Sequence, residues 1–279
     1  MENPMKRALA VVFSMFLWGS YLCAEQRTDI EYGRAGEVSL KLDVSIPDNG
    51  PGPFPVAIIV HGGGWSGGDK QQDITPLFKP LTDAGYVWFS INYRLAPTHR
   101  WPACFEDVQT AIRWVKAHAA DYHGDPQRIA IFGHSAGGHL AFLAVEQDDP
   151  STRVQAVVGL APVTDFEQDL EQRGGLSPSL QALLDRPKQV TDESRQILKR
   201  IGAINHIQPG LPPFLLIQGS ADRTVQPIQS QHFVEKLKAA HVPADLIMIN
   251  GAQHRVTQWN DFDPTWTKQM VVWLDKTLK

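Results

Sequence analysis

Three residues with the right chemistry lie far apart in the chain but in similar surroundings. Ser135 sits in Gly133-His134-Ser135-Ala136-Gly137, which fits the small-x-Ser-x-small turn that lifts a serine above a sheet. Asp222 ends Gly219-Ser220-Ala221-Asp222, and His254 follows Gly251-Ala252-Gln253. A serine hydroxyl is a weak nucleophile at neutral pH, so it needs a base in hydrogen-bond reach and a third group to orient that base. Each of the three follows a predicted strand, so all are expected to meet at the carboxyl edge of one parallel sheet. Gly-x-Ser-x-Gly alone also occurs in ordinary loops, so the reading rests on this convergence. Asp165, after the preceding strand, is a rival acid; Asp222 is preferred because it precedes the strand that carries the histidine.

A fourth element has the chemistry of an anion site. Val56-Ala57-Ile58-Ile59-Val60 runs into His61-Gly62-Gly63-Gly64-Trp65, where consecutive glycines leave backbone N–H groups uncovered and able to face a developing negative charge. A flexible turn and a phosphate cradle are the competing readings. The Lys-Ser/Thr signature of a phosphate loop is missing, and no basic residue follows until Lys70. Of the ten histidines, His61 and His134 belong to the glycine motifs and are expected to brace them. His118, His123, His206, His232 and His241 read as solvated. No pair of histidines has zinc-site spacing with a third ligand, so no metal is assigned.

The elements around these residues alternate between strand and helix. Arg128 to Phe132 is a short apolar strand ahead of the serine turn, and Gly138, Leu140, Ala141, Leu143, Ala144 and Val145 give the following helix a closely packing face. Val38, Leu40, Leu42, Val44 and Ile46 alternate with polar residues, as in a half-buried antiparallel strand at a sheet edge. Residues 47–55 read as a turn, 74–84 as a helix ending at Gly85, and 86–91 as a strand. Val108, Ala111, Ile112 and Val115 mark the next helix. Further strands are predicted at 154–160, 214–217 and 246–249, with a helix at 229–240. A final amphipathic helix turns Trp266, Met270, Trp273 and Leu274 to the core. Between about 166 and 210 the pattern breaks into polar stretches and short helical pieces, read as a cap insertion over the site or as a solvated excursion.

At 279 residues the chain can form one large α/β domain, and no composition shift divides it. With 43% hydrophobic and 20% charged residues and a net charge of −4, it carries no basic footprint for nucleic acid. Residues 1–24 read as a secretory signal peptide: Lys6-Arg7, an apolar run from Ala8 to Trp18, then Gly19, Ser20, Cys23 and Ala24. That run is shorter than the about 20 apolar residues of a membrane span, so cleavage near Ala24 and export to the periplasm or medium are expected. Cys23 raises a lipoprotein reading, but Ser20-Tyr21-Leu22 lacks the small residue expected beside a lipidated cysteine. Residues 25–279 then form a single domain. Cys104 is left as its only cysteine, unable to make an internal disulfide and read as a small buried hydrophobe. Oligomeric state is not legible.

Four motifs together resemble esterases of the α/β-hydrolase superfamily related to hormone-sensitive lipase, most closely the branch holding bacterial feruloyl and acetyl-xylan esterases. They are His61-Gly62-Gly63-Gly64-Trp65, Tyr93-Arg94-Leu95-Ala96-Pro97, Gly133 to Leu140, and Gly219-Ser220-Ala221-Asp222. The resemblance spans nearly the whole mature chain and implies a mostly parallel sheet with helices on both faces. It further implies a Ser135–Asp222–His254 triad and an oxyanion hole of the Gly63, Gly64 and Ala136 amides. A serine esterase of this kind would act on short-acyl or aromatic-acyl esters, small or oligosaccharide-linked, through an acyl-enzyme and with no cofactor. Trp65, Trp101 and Trp259 are expected near loops, where flat rings stack on sugars. One departure stands out: such esterases usually carry Gly-His-Gly at the base, and this chain has Gln253-His254-Arg255. Arg255 and Arg223 would set positive charge beside the pocket and favour an acidic ester; two solvated arginines is the alternative. An arylformamidase-like amide hydrolase shares the Gly-His-Ser-Ala-Gly-Gly-His-Leu stretch, and a catalytically silent binding protein could use the same fold.

Overall fold

The computed structural model describes residues 24–48, 50–147 and 149–279, so the expected leader lies outside the described residues up to residue 23. At the centre, β3 (Phe54–Val60) runs parallel to β4 (Val87–Ile91) on one side and to β5 (Gly124–His134) on the other. Then come β6 (Ala156–Leu160), β7 (Phe214–Gly219) and β8 (Ala244–Ile249), all parallel. On the far side of β4, β2 (Val38–Ile46) and then β1 (Glu25–Ala35) add antiparallel, giving the order β1-β2-β4-β3-β5-β6-β7-β8.

Strand periodicity divides the interior in two. Val56, Ile58 and Val60 of β3 face one core, while Ala57 and Ile59 face the other; Ile129 and Ile131 of β5 are likewise opposed to Ala130 and Phe132. Against the first face pack α2 (Ala103–His118), α3 (Ala136–Glu146) and α7 (Pro227–Ala239), and against the second α1 (Phe78–Asp83) and α8 (Trp266–Leu278). Every residue of α3 is buried, which suits its nearly continuous run of small and apolar side chains. Cys104, at the start of α2, is fully buried, and burial pushes its thiol up to about 12.

The stretch 166–210 has more order than its polar sequence suggests. It folds as α4 (Phe166–Arg173), α5 (Pro178–Leu184), α6 (Asp192–Ile201) and a 3-10 turn at Ala203–Asn205. Each helix has a side-chain N-cap, from Asp165, Ser177 and Thr191 respectively. Phe166, Leu170, Leu180, Leu183, Leu198 and Ile201 are buried in the first core, so this segment is packed onto the domain.

Three expectations need correction. The strand at Val38–Ile46 is not the edge: β1 lies outside it, unread in the sequence because Glu25–Ala35 is polar and only Tyr32 is buried. Trp273 is only partly buried, with its indole N–H donating to Asp245 at 2.9 Å, while Trp266, Met270 and Leu274 fill the core. Asp43 and Ser45, the polar positions of the alternating strand, are buried because β2 is paired on both sides. The Asp43 carboxylate meets Lys70 Nζ at 3.0 Å and Gln71 Nε2 at 2.7 Å. Lys70 also reaches Asp29 at 3.2 Å, its N–H donates to Asn92, and its carbonyl accepts from Ser90, so the return limb of the glycine loop is tied to the sheet. Lys70→Met leaves a buried carboxylate without its cation and is expected to lower stability by about 3 kcal/mol, read as a drop in the urea midpoint. An unchanged midpoint would mean that Gln71 and the Asp29 N–H satisfy Asp43 unaided.

Candidate active site

The carboxyl ends of β3, β5, β7 and β8 lead respectively into the glycine loop, Ser135, Asp222 and His254. Ser135 takes φ +53° and ψ −118° between β5 and α3, a conformation that side chains seldom adopt. Its surroundings hold it there. The Ser135 N–H donates to Leu160 O at 2.9 Å, and Ser135 O accepts from the amides of His139 and Val163, each at 3.2 Å. A methyl group on Gly137 would lie 2.2 Å from His61 O, so the serine turn and the glycine loop meet backbone to backbone.

His254 Nε2 lies 2.9 Å from Ser135 Oγ, and His254 Nδ1 lies 2.7 Å from Asp222 Oδ2. The Nδ1–H donates to the carboxylate, which leaves Nε2 free to accept the serine hydroxyl proton. Asp222 is 3% exposed and also accepts from Gln218 Nε2 and from the amides of Thr224 and Val225. Ser230 fixes Gln218 in turn by donating to its Oε1 at 2.8 Å. The rival Asp165 is the N-cap of α4, with its carboxylate engaged by the Glu167 and Gln168 amides.

The glycine loop turns through three left-handed residues, Gly63 (φ +110°), Gly64 (φ +58°) and Trp65 (φ +57°). Among the described residues the N–H groups of Gly63, Gly64 and Ala136 have no acceptor, and Ala136 opens a helix whose N-terminus favours negative charge. Tyr93 OH donates toward the carbonyls of His61 and Gly62, and its ring stacks on His61 at 4.3 Å. Arg94 forks onto Asp107 of α2, so the Tyr93-Arg94 pair fastens the loop to a helix.

Bracing by His61 and His134 takes a definite form. His61 Nδ1–H donates to Gly62 O at 2.7 Å, and His134 Nε2–H donates to His254 O at 3.2 Å. Of the distal histidines, His123, His232 and His241 are exposed, while His118 stacks on Trp114 and His206 reaches Arg200 O. No three His, Cys, Asp or Glu side chains among the described residues come together to hold a metal.

Trp65 is not a stacking platform: it is 4% exposed and its indole N–H donates to His139 Nδ1. Trp259 is also buried, against Trp266, with its N–H on Gln253 O; Trp101 is half-buried. Both carry bulk that the core accommodates more favourably than water does. Arg255 is exposed, with no ion-pair partner among the described residues, and the same holds for the Arg223 guanidinium. Gln218, Ser179 and His139 carry parts not read in the sequence. Ser179 Oγ stands where a methyl on Gly64 would come within 2.5 Å, so α5 reaches the glycine loop. A glutamine interrupting the apolar run of β7 was the visible signal for Gln218; Ser179 had none.

A family model described as BD-FAE matches residues 42–237. The chain belongs to the BD-FAE family. Relatives of this BD-FAE chain include the probable carboxylic ester hydrolase LipM of Mycobacterium tuberculosis, 36% identical over 222 residues that make up 75% of this chain and 50% of LipM. The chain spans about half the length of the curated relatives it matches. Among solved structures it is similar to a truncated carbohydrate esterase from gut microbiota, with TM-score 0.78 and 26% identity over 91% of this chain and 96% of that one. An acetyl ester-xyloside bifunctional hydrolase from Caldicellulosiruptor lactoaceticus aligns with TM-score 0.75 and 25% identity over 89% and 95% of the two chains. The mostly parallel eight-stranded sheet with helices on both faces is an α/β-hydrolase fold.

Burial lowers the pKa of three histidines from 6.5: His61 to about 4, His134 to about 3, with the neighbouring His254 adding to the effect, and His139 to about 4. Unfolded, they take up protons near pH 6.5, so below that pH the unfolded chain binds more protons than the folded one. Stability present above pH 6.5 is therefore expected to fall steadily toward pH 4, the His134 share continuing to about pH 3. Urea midpoints taken from about pH 7.5 down to about 4.5 should drop, and less steeply in His139→Gln, which removes one titrating group. Equal slopes in wild type and His139→Gln would contradict a neutral buried His139; the buried Glu146 carboxyl, pushed up by burial, gains stability as pH falls and opposes the trend alike in both.

Proposed function

We propose that the chain is a serine carboxylic ester hydrolase. The observation that carries this reading is the pair of contacts made by His254, 2.9 Å to Ser135 Oγ and 2.7 Å to Asp222 Oδ2. In the first step His254 Nε2 takes the hydroxyl proton as Ser135 Oγ bonds to the ester carbonyl carbon. Negative charge collects on the carbonyl oxygen, which accepts hydrogen bonds from the amides of Gly63, Gly64 and Ala136; one such donor is worth about 3–4 kcal/mol in the transition state. The tetrahedral intermediate expels the alcohol, which leaves with the proton from His254, and the acyl group remains on Ser135. Water, deprotonated by the same imidazole, then releases the acid and restores the hydroxyl.

The substrate is read as a short-acyl or aromatic-acyl ester on a carbohydrate. Support comes from the carbohydrate-directed names of the neighbours and from the leader-like residues 1–24, which would export the chain to where such polymers lie. Trp65 and Trp259 are buried, so their rings are not available to stack on a sugar. The unpaired Arg255, next to the base, is proposed to select esters that carry a carboxylate.

Ser135→Ala is expected to lower kcat on p-nitrophenyl acetate by about 10³-fold or more, and Asp222→Asn by up to about 10⁴-fold, with the fold retained. Turnover that survives Ser135→Ala would defeat the mechanism. Arg255→Ala should lower kcat/KM about 3–10-fold on acetylated oligosaccharides containing a uronic acid, leaving neutral ones unaffected. Equal loss on both would remove the acidic preference.

A further inference from the structure

His139 lies one turn beyond Ser135 on α3 and is fully buried. Both of its ring nitrogens are engaged. Trp65 Nε1 is 3.2 Å from Nδ1, and Nε2 is 2.7 Å from Ile201 O. An indole N–H can only donate, so Nδ1 holds the lone pair and Nε2 the proton, which it gives to the carbonyl. With burial holding its pKa down to about 4, the ring stays neutral and keeps this tautomer at ordinary pH. Trp65, Phe166 and Trp101 surround it, with centroids at 5.5, 5.0 and 6.0 Å.

These bonds join three separate elements. Trp65 closes the run of left-handed residues that begins with Gly63 and Gly64. Ile201 is the last residue of helix α6, and His139 itself stands on the helix that Ser135 opens. A tryptophan at φ +57° is in a conformation that costs about 1–3 kcal/mol, so it persists only where its surroundings hold it. Two polar contacts do so: the Trp65 carbonyl accepts from the Ala96 N–H at 2.9 Å, and the indole N–H donates to His139, the one of the two that leads to α6.

We propose that His139 is a positioning residue which, through Trp65, fixes the Gly63 and Gly64 amides under the reacting carbonyl and ties them to helix α6. This rests on the ester-hydrolase reading of the site. Donors stabilise a developing oxyanion only while they are held in aim, and a loosened loop weakens the transition state more than the bound substrate. The loss therefore falls on kcat and leaves KM nearly as it was.

Three substitutions separate the two bonds. Trp65→Phe removes the indole N–H and keeps a ring; His139→Phe removes both bonds; His139→Asn restores an acceptor near the position of Nδ1 without reaching Ile201. On p-nitrophenyl acetate, Trp65→Phe and His139→Phe are each expected to lose about 10–100-fold in kcat, with KM within about threefold of wild type. The double variant should be no worse than the poorer single, because both break one link, and His139→Asn should regain about tenfold over His139→Phe. Hydrogen exchange without substrate gives an independent measure: the amides of Ser66 and Gly67, which donate to Gly63 O, and of Ala96, which donates to Trp65 O, should exchange about tenfold faster in His139→Phe while those of β5 stay protected. If His139→Phe does not fold, Trp65→Phe carries both measurements. Unchanged loop exchange, kcat within twofold of wild type in folded Trp65→Phe, or multiplicative losses in the double variant would each overturn the proposal. An inactive wild type, or turnover in Ser135→Ala, instead defeats the ester reading, and the exchange rates then decide alone whether His139 pins the loop.

Discussion

Two backbones touching at the edge of the sheet govern the whole site. Val60 pairs with Gly133, so β3 and β5 deliver the glycine loop and the serine turn side by side. At Gly137 the approach is so close that a single methyl would collide with the carbonyls of Val60 and His61. Only glycine permits that contact. Strand pairing sets the separation of the two turns, and Tyr93 holds the loop by its hydroxyl.

Polar groups around His254 are arranged so that few are free to move. Its carbonyl is held by His134, the next residue back by the indole of Trp259, and its carboxylate partner by Gln218 and two amides. Because burial keeps His134 neutral, its ring can lie 4.9 Å from that of His254 without opposing a positive charge there. Helix α4 takes part as well. Gln172 and Arg173 of α4 donate to the carbonyls of Arg223 and Thr224, clamping the loop that presents Asp222.

Elements whose chemistry is local were legible in the sequence. The central strands announced themselves as unbroken apolar runs, and Ser135, Asp222 and His254 each followed one, so their convergence could be deduced from sheet topology. β1 was not legible because an edge strand exposed along most of its length needs no apolar alternation. The buried Asp43 looked like an outward-facing residue because its partners, Lys70 and Gln71, arrive from a loop distant in sequence. Tryptophans misled for a related reason: Trp65 and Trp259 do lie beside the loops, as expected, but their rings turn inward and their N–H groups serve His139 and the Gln253 carbonyl. Whether an indole faces solvent or core depends on what the rest of the chain brings to it.

Cys104 adds a property of a different kind. Its thiol is sealed at the head of α2, and burial holds it in the protonated, unreactive form. Alkylating reagents and small disulfides can reach that sulfur only when the surrounding core opens. The rate at which it is labelled is thus a stopwatch for breathing of the first core.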